Sequence, residues 1–301
     1  MLNIIGNRKY FYAISGILIG TAVLAMLVFR FKEGIDFAGG TLWQFRTASG
    51  DTDISAVQNI FKTELGLHDI IATYDAASGT FLVRAGEISE TDHQKHLATL
   101  KNKIPSFDEL SFQSIGPSIG AELRKNAIIA IGFVLIGISL YIAFAFRKAS
   151  RPVSSWKYGL VTLLTLFHDV AIPAGLITVF GHYLNIEIDS NFIVALLVVM
   201  GFSVHDTIVV FDRIRENLLK TRGREDFEAI INASVNQTLA RSVNTSLTLI
   251  LVLIALYFTG PINLRYFILT LLVGVTTGIY SSIFIASPAL LLFGKHRAVK
   301  P

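Results

Sequence analysis

The 301-residue sequence contains no cysteine. That excludes disulfides, cysteine nucleophiles and thiolate metal sites, while leaving the compartment open, because many exported domains also lack cysteine. It has neither a P-loop nor a serine-nucleophile elbow, so any energy source must be an ion gradient or a partner ATPase. The histidines His68, His93, His96 and His182 offer at most one His-x-x-His pair, and two ligands do not make a metal site. No enzyme activity, metal or cofactor is expected. Charged residues make up only 16% of the chain and hydrophobic ones 52%, with a mean hydropathy of +0.57. The chain is too apolar for an ordinary soluble protein and too charged to lie in a membrane throughout. Its excess of positive charge forms no arginine-aromatic patch, which argues against nucleic acid; residues 32–125 hold 9 Lys and Arg against 13 Asp and Glu, so the basic balance comes from the rest.

Six apolar segments are long enough to cross a hydrocarbon core of about 30 Å, which takes roughly 20 helical residues. They lie near Tyr10–Phe29, Asn126–Phe146, Tyr158–Phe180, Phe192–Phe211, Asn244–Phe258 and Tyr266–Phe293. The first lacks a small-residue cleavage site and is followed by Arg30 and Lys32, so it is expected to stay as an anchor. Lys and Arg concentrate at Arg8 and Lys9, at Arg147, Lys148, Arg151 and Lys157, at Arg213, Arg215, Lys220, Arg222, Arg224 and Arg241, and at Lys295, Arg297 and Lys300. The positive-inside rule then places both termini in the cytoplasm. The expected organisation is a cytoplasmic start and first span over 1–30, an extracytoplasmic domain over 31–125, five spans over 126–294 with cytoplasmic loops at 147–157 and 212–243, and a cytoplasmic tail over 295–301.

The segment 31–125 reads as a small α+β domain. Thr41–Thr47 alternates like a strand, and Asp53–Leu65 has helical apolar spacing with Asp53 as N-cap. Ile70–Tyr74 and Thr80–Arg84 form a hairpin around Ser78 and Gly79. Ser89–Ile104 is a second helix opened by a capping box from Ser89 to Asp92, and Leu110–Ile115 closes the set. The order βαββαβ suits a ferredoxin-like fold.

The stretch Gly201–Asn217, GFSVHDTIVVFDRIREN, places His205 and Asp206 inside an apolar span. Ionisable groups in lipid are costly and usually face a bundle interior or a watery path, so transport is the default reading. Ser203, Asp206, Val210 and Arg213 share one face at i, i+3, i+7 and i+10, whereas His205 is rotated by roughly 100° and aligns with Gly201 and Asp212. Arg241, Asn244, Thr245 and Thr248 form a stripe that could set a guanidinium beside Asp206. Thr162, Thr165, Asp169 and Pro173 form another, next to His168. Asp206 then has two readings, a titrating group or a structural ion pair with Arg241, and His205 is either a relay or a packing group. Asp169 lies nearer mid-membrane and, with His168, is a second candidate. Gly16 with Gly20 and Gly274 with Gly278 are GxxxG pairs that permit close helix contact.

Three motifs in order, Gly34-Ile35-Asp36-Phe37-Ala38-Gly39-Gly40, Gly116-Pro117-Ser118-Ile119-Gly120 and GFSVHDTIVVFDRIREN, together resemble the SecF family of bacterial protein export, and Arg241-Ser242-Val243-Asn244-Thr245-Ser246 fits it too. The resemblance implies an RND-type half bundle of six transmembrane helices with one ferredoxin-like extracytoplasmic domain, in the bacterial inner membrane. It implies pairing with SecD into twelve helices and use of the proton-motive force to help an unfolded preprotein through the SecYEG channel. It links the residues at Asp206 and Arg241 to proton passage, with a further aspartate from SecD. Two departures stand out: the family's Gly-Tyr-Ser-x-Asn-Asp reads here Gly201-Phe202-Ser203-Val204-His205-Asp206, with the tyrosine hydroxyl lost and the asparagine replaced by an imidazole. The glycines of 34–40 are expected to turn the chain into the outer domain rather than to bind a ligand. Competing readings are a half-size RND-type exporter of lipid or small molecules and a scaffold that transports nothing.

Overall fold

A computed structural model describes residues 2–47, 53–76, 78–147, 153–221 and 225–293. The basic residues Lys148, Arg151, Arg222, Arg224, Lys295, Arg297 and Lys300, used above for topology, lie outside the described residues. The chain divides into two compact units, one formed by Met1–Lys32 with Ile129–Pro301 and one by Glu33–Ile128.

The first unit holds helices long and apolar enough to cross a membrane, six among the described residues. They are α1 (Arg8–Phe29), then, after the second unit's elements α2 to α4, α5 (Pro117–Ala145), α6 (Ser155–Leu184), α7 (Ser190–Thr221), α8 (Phe227–Thr259) and a last span opened by α9 (Arg265–Ser281). Most of them run longer than expected, α7 and α8 by the most. Residues 212–243 are not an extended loop: α7 runs on to Thr221 and α8 already begins at Phe227. The charges that mark this stretch as a loop pair along the helix instead, Arg213 with Glu216 at 2.5 Å, Arg215 with Asp212 at 2.8 Å and Lys220 with Glu216 at 2.6 Å. Such i,i+3 and i,i+4 pairs support a helix in water. Asn217 then donates to Ser234 Oγ and Gln237 Oε1 across the hairpin.

The last span changes its winding. After Ser281 comes a π-helical turn, Ser282–Ala286, then a short α turn, α10 (Ser287–Ala289), and a 3-10 turn, Leu290–Leu292. Pro288 has no N–H to give the preceding turn. The hydroxyl of Ser287 instead donates to the Ser282 carbonyl at 3.0 Å.

The second unit is built as its pattern indicates. Strands β1 (Gly40–Arg46), β2 (Ile71–Asp75), β3 (Thr80–Ala85) and β4 (Asp108–Ile115) form a sheet in the order β2-β3-β1-β4, with every neighbouring pair antiparallel. With α3 (Ile54–Thr63) after β1 and α4 (Glu90–Lys103) after β3, this is the ferredoxin-like arrangement. Alternation along β1 sends Trp43 and Phe45 inward, against Phe61 of α3, Leu100 of α4 and Phe81 and Val83 of β3. Asp53 caps α3 by accepting from Ser55 N, and Ser89 caps α4 by accepting from Asp92 N. The β2–β3 turn is tied by Asp75 Oδ2, which accepts from Ser78 N at 3.1 Å, and Gly79 supplies the left-handed residue.

The two glycine motifs meet each other. Gly34 starts the short α2 (Ile35–Ala38), with Asp36 in its first turn, and Gly39 and Gly40 both take positive φ, +80° and +123°. A Cβ on Gly39 would sit 2.9 Å from Pro117 Cα, and one on Gly120 would sit 2.9 Å from the Phe37 carbonyl oxygen. Backbone therefore packs on backbone where the chain enters and leaves the sheet, with Gly116 beside the Glu87 carboxylate.

Candidate functional site

Five helical segments of the membrane unit bring polar groups into its interior. The Thr162, Thr165, Asp169 and Pro173 stripe of α6 is buried throughout, as are Ser203, Asp206 and Val210 of α7. Two carboxylates result, and their surroundings differ.

Asp169, fully buried, is the better provided. His168 Nδ1 lies 2.8 Å from its Oδ1, Ser281 of α9 donates to Oδ2 at 2.7 Å, and Ser203 of α7 donates to the same oxygen. The imidazole continues to α1 through Nε2, 3.1 Å from Ser15 Oγ. Tyr280 lies nearly parallel to that imidazole, with ring centres 6.0 Å apart, and its hydroxyl is fixed by the Phe11 carbonyl at 3.0 Å. Below Ser203, Thr207 and Ser282 share a hydrogen bond of 2.8 Å, and Ser282 also reaches the Ser203 carbonyl at 3.4 Å. Glycines permit the approach. A Cβ on Gly278 would stand 3.2 Å from Ser203 Cβ, and one on Gly274 would run into the Val199 methyls. The second GxxxG pair is thus spent inside the chain, whereas Gly16 and Gly20 have nothing within 4 Å.

Asp206 is buried as well, but with fewer partners. Ser246 of α8 donates to its Oδ2 at 3.1 Å. His205 Nδ1 is 3.9 Å from Oδ1, and the histidine side chain is 67% exposed. The ion pair with Arg241 suggested by the sequence is not formed. The buried edge of α8 runs Thr238, Ser242, Ser246 at four-residue spacing, and Arg241 is one position, roughly 100°, off that edge. It faces a polar cavity of about 290 Å³ with Asp212, Arg213, Glu216, Gln237 and Thr238. Asn244, Thr245 and Thr248 share its exposed side, where Thr245 donates to the Arg241 carbonyl and Thr248 to that of Thr245.

Several residues of these clusters escape a sequence reading: Ser15, Thr207, Ser246, Ser281, Ser282 and Tyr280. A serine or threonine in an apolar helix can equally bond its own carbonyl one turn back, as Thr162 does to Tyr158, so its presence carries little signal. The adjacent pair Ser281-Ser282 was the one available hint.

Known proteins match this architecture over nearly its whole length. A family model described as protein export membrane protein SecD/SecF, C-terminal, matches residues 95–296. A protein translocase subunit SecF of Thermobaculum terrenum is 43% identical over 97% of this chain and 93% of its own length, and one of Anaerolinea thermophila is 37% identical over 97% and 94%. The crystal structure of SecDF, a translocon-associated membrane protein of Thermus thermophilus, superposes with a TM-score of 0.82 at 33% identity. It covers 97% of this chain, which spans 38% of that longer one. With six spans, a ferredoxin-like unit and relatives of this closeness, the chain belongs to the SecF family of protein translocase subunits and is a multi-pass membrane protein.

Proposed function

We propose that this chain is the SecF half of a SecD–SecF pair in the bacterial inner membrane, which draws on the proton-motive force to help an unfolded preprotein finish its passage through SecYEG. Both termini then lie in the cytoplasm and residues 31–125 outside. The observation that carries the reading is an incomplete polar site. Asp206 is buried at membrane depth with one hydroxyl donor, while His205, Arg241, Asn244, Thr245 and Thr248 open outward from α7 and α8. Polar groups at that depth need a protein or water partner. A Thermus thermophilus relative named protein translocase subunit SecDF, of which this chain matches 39%, has room for the other half in the same polypeptide. SecD set against the open face would supply that partner and close a proton path over Asp206, with Arg241 brought into play from the polar cavity and Asp169 with His168 on the inner side.

A charge moved across 100 mV releases about 2.3 kcal/mol, enough to bias a conformational step of the outer domain. The test uses Asp206→Asn, which keeps shape and removes titration. Reconstituted with SecD and SecYEG, the variant is expected to assemble normally and to lose the stimulation of preprotein export by a proton gradient. Full stimulation with normal assembly would leave the scaffold reading standing, and failure to copurify with SecD from native membrane would favour the half-size exporter.

A further inference from the structure

We propose that the segment before α1, residues 2–8, is a mechanical tie that makes α8 and α1 move as one body, so that a displacement of the helix beside Asp206 is passed to the span leading into the second unit. The use of the tie rests on the proton-coupled reading given above; the tie itself does not.

Its attachment is a ladder on one face of α8, formed by Glu228, Asn232 and Asn236 at four-residue spacing. Asn236 Oδ1 accepts from Leu2 N at 2.8 Å, and Asn232 Oδ1 accepts from Ile4 N at 3.0 Å and Ile5 N at 3.2 Å. Both amides give a hydrogen back to the Leu2 carbonyl, Asn232 at 3.1 Å and Asn236 at 2.9 Å. A carboxamide carries the donor and acceptor of a peptide group, so these side chains pair with main chain as a neighbouring strand would. Backbone N–H groups only donate and the carbonyl only accepts, which fixes how both amides are turned. Arg8 closes the ladder on Glu228 at 2.8 Å. Asparagine is among the weaker helix formers, so two of them one turn apart burden α8 taken alone, and these bonds offset that.

The segment is not slack. Ile4 and Ile5 are 3% and 1% exposed and belong to the core to which α6, α7 and α8 contribute Tyr158, Phe211 and Ile231. Main-chain bonds from Asn7 N to the Ile4 carbonyl and from Arg8 N to that of Ile5, both 3.2 Å, carry it into α1. The two helices it joins are fit to transmit a push. α8 runs from Phe227 to Thr259 with no proline or glycine to bend at, so Asn236 and Ser246, about 15 Å apart along it, shift together. Farther along, the core around Leu253 sets α8 against Val199 of α7 and Val275 of α9, while Val243, Leu247, Leu251 and Phe258 lie open. α1 has no proline either, and beyond its end the chain enters the second unit at Glu33.

Because the chain has no cysteine, the tie can be broken and remade in one molecule. In the full chain in lipid nanodiscs, Asn232→Ala with Asn236→Ala is expected to speed amide exchange at Leu2, Ile4 and Ile5 roughly tenfold or more. Reconstituted with cysteine-free SecD and SecYEG, that variant should still assemble and lose most of the stimulation of preprotein export by a gradient. A second variant, Asn232→Ala with Leu2→Cys and Asn236→Cys, replaces the ladder by a disulfide. It should behave as the broken tie when reduced and regain stimulation when oxidised, which a chain that merely folds poorly would not do. Full stimulation in the double alanine variant overturns the proposal, since the segment is then a bystander. A disulfide that fails to restore stimulation overturns it too, because the segment is then a latch that must open, and a cysteine pair that fails to oxidise puts the segment elsewhere. A wild-type complex unmoved by the gradient would remove the proton-coupled reading and with it the use of the tie, while exchange at the three amides still reports the ladder by itself.

Discussion

Replacing glycine by alanine one helix at a time should give changes of opposite sign at positions that look alike in sequence. In a helix interior alanine is favoured over glycine by about 1 kcal/mol. At Gly16 or Gly20 nothing lies within 4 Å of the new methyl, so that gain is expected nearly undiminished in the isolated chain. At Gly175 the methyl would stand 2.5 Å from both Cα and Cβ of Ala22 on α1, and 3.0 Å from its carbonyl oxygen. Backbone cannot swing aside as a side chain does, so α1 and α6 must separate, an overpacking cost of typically 1–3 kcal/mol. The net expectation is a loss of up to about 2 kcal/mol at Gly175. Gly278→Ala falls between, since its methyl meets Ser203 Cβ at 3.2 Å, a contact relieved by a few tenths of an ångström. The assay is unfolding of the purified chain in a detergent series, with each variant compared to wild type at its midpoint. Gly175 lies two turns after His168 and Ala22 two turns after Ser15, so Gly175→Ala should also loosen the Ser15–His168 contact. Equal stability of Gly16→Ala and Gly175→Ala would refute the reasoning.

Three further outcomes follow from local geometry. Ser246→Ala removes the one hydroxyl donor on Asp206, and since hydrogen bonds to charged groups contribute about 1.5–3 kcal/mol, gradient-stimulated export by the SecD complex should fall roughly tenfold or more without loss of assembly. Arg30 ends α1 at φ 56° and ψ 162°, a region open essentially to glycine, at a cost on the order of 1–3 kcal/mol; Arg30→Gly should therefore raise the unfolding midpoint, whereas Arg30→Ala should not. In the ferredoxin-like unit, Asp53, Glu90 and Asp92 are held below the usual carboxylate range, by Ser55 at Asp53, by Gln94 and His93 at Glu90, and by Ser89 and Lys95 at Asp92. Groups depressed in the folded state stabilise it above their unfolded values and lose that effect as pH falls through the folded ones. Amide protection factors at the starts of α3 and α4 should then fall below about pH 4, and Asp53→Asn with Asp92→Asn should flatten that dependence.

What could be read from the sequence was whatever leaves a period or a cap. The six spans, the βαββαβ order and the caps at Asp53 and Ser89 all appear where hydropathy, alternation and side-chain oxygen place them. Helix phase grouped residues correctly on α6, whose stripe is buried together with His168, and on α7, where Ser203, Asp206 and Val210 are buried and His205 is open. It failed on α8 because phase fixes which residues share a face but not which way that face turns. Arg241 shares a stripe with Asn244 and Thr248, yet the stripe looks outward and Ser246 takes the place beside Asp206. The length of α7 and α8 was hidden for another reason: alternating charges read as solvent-exposed loop and as exposed helix alike until their pairs are seen. The π turn after Ser281 has a cause in Pro288 but no periodicity to announce it.

The hairpin of α7 and α8 has a consequence in length. A 33-residue helix is about 50 Å long at 1.5 Å per residue, and a hydrocarbon core takes up about 30 Å of it. If its apolar part fills that core, close to 20 Å of paired helix, cross-linked by Asn217, Ser234 and Gln237, stands clear of the lipid tails. A tilt of the bundle would sweep the tip of such a rod through a wider arc than any point within the membrane. Whatever the protein meets on that side meets a stiff pointer and not a slack connection.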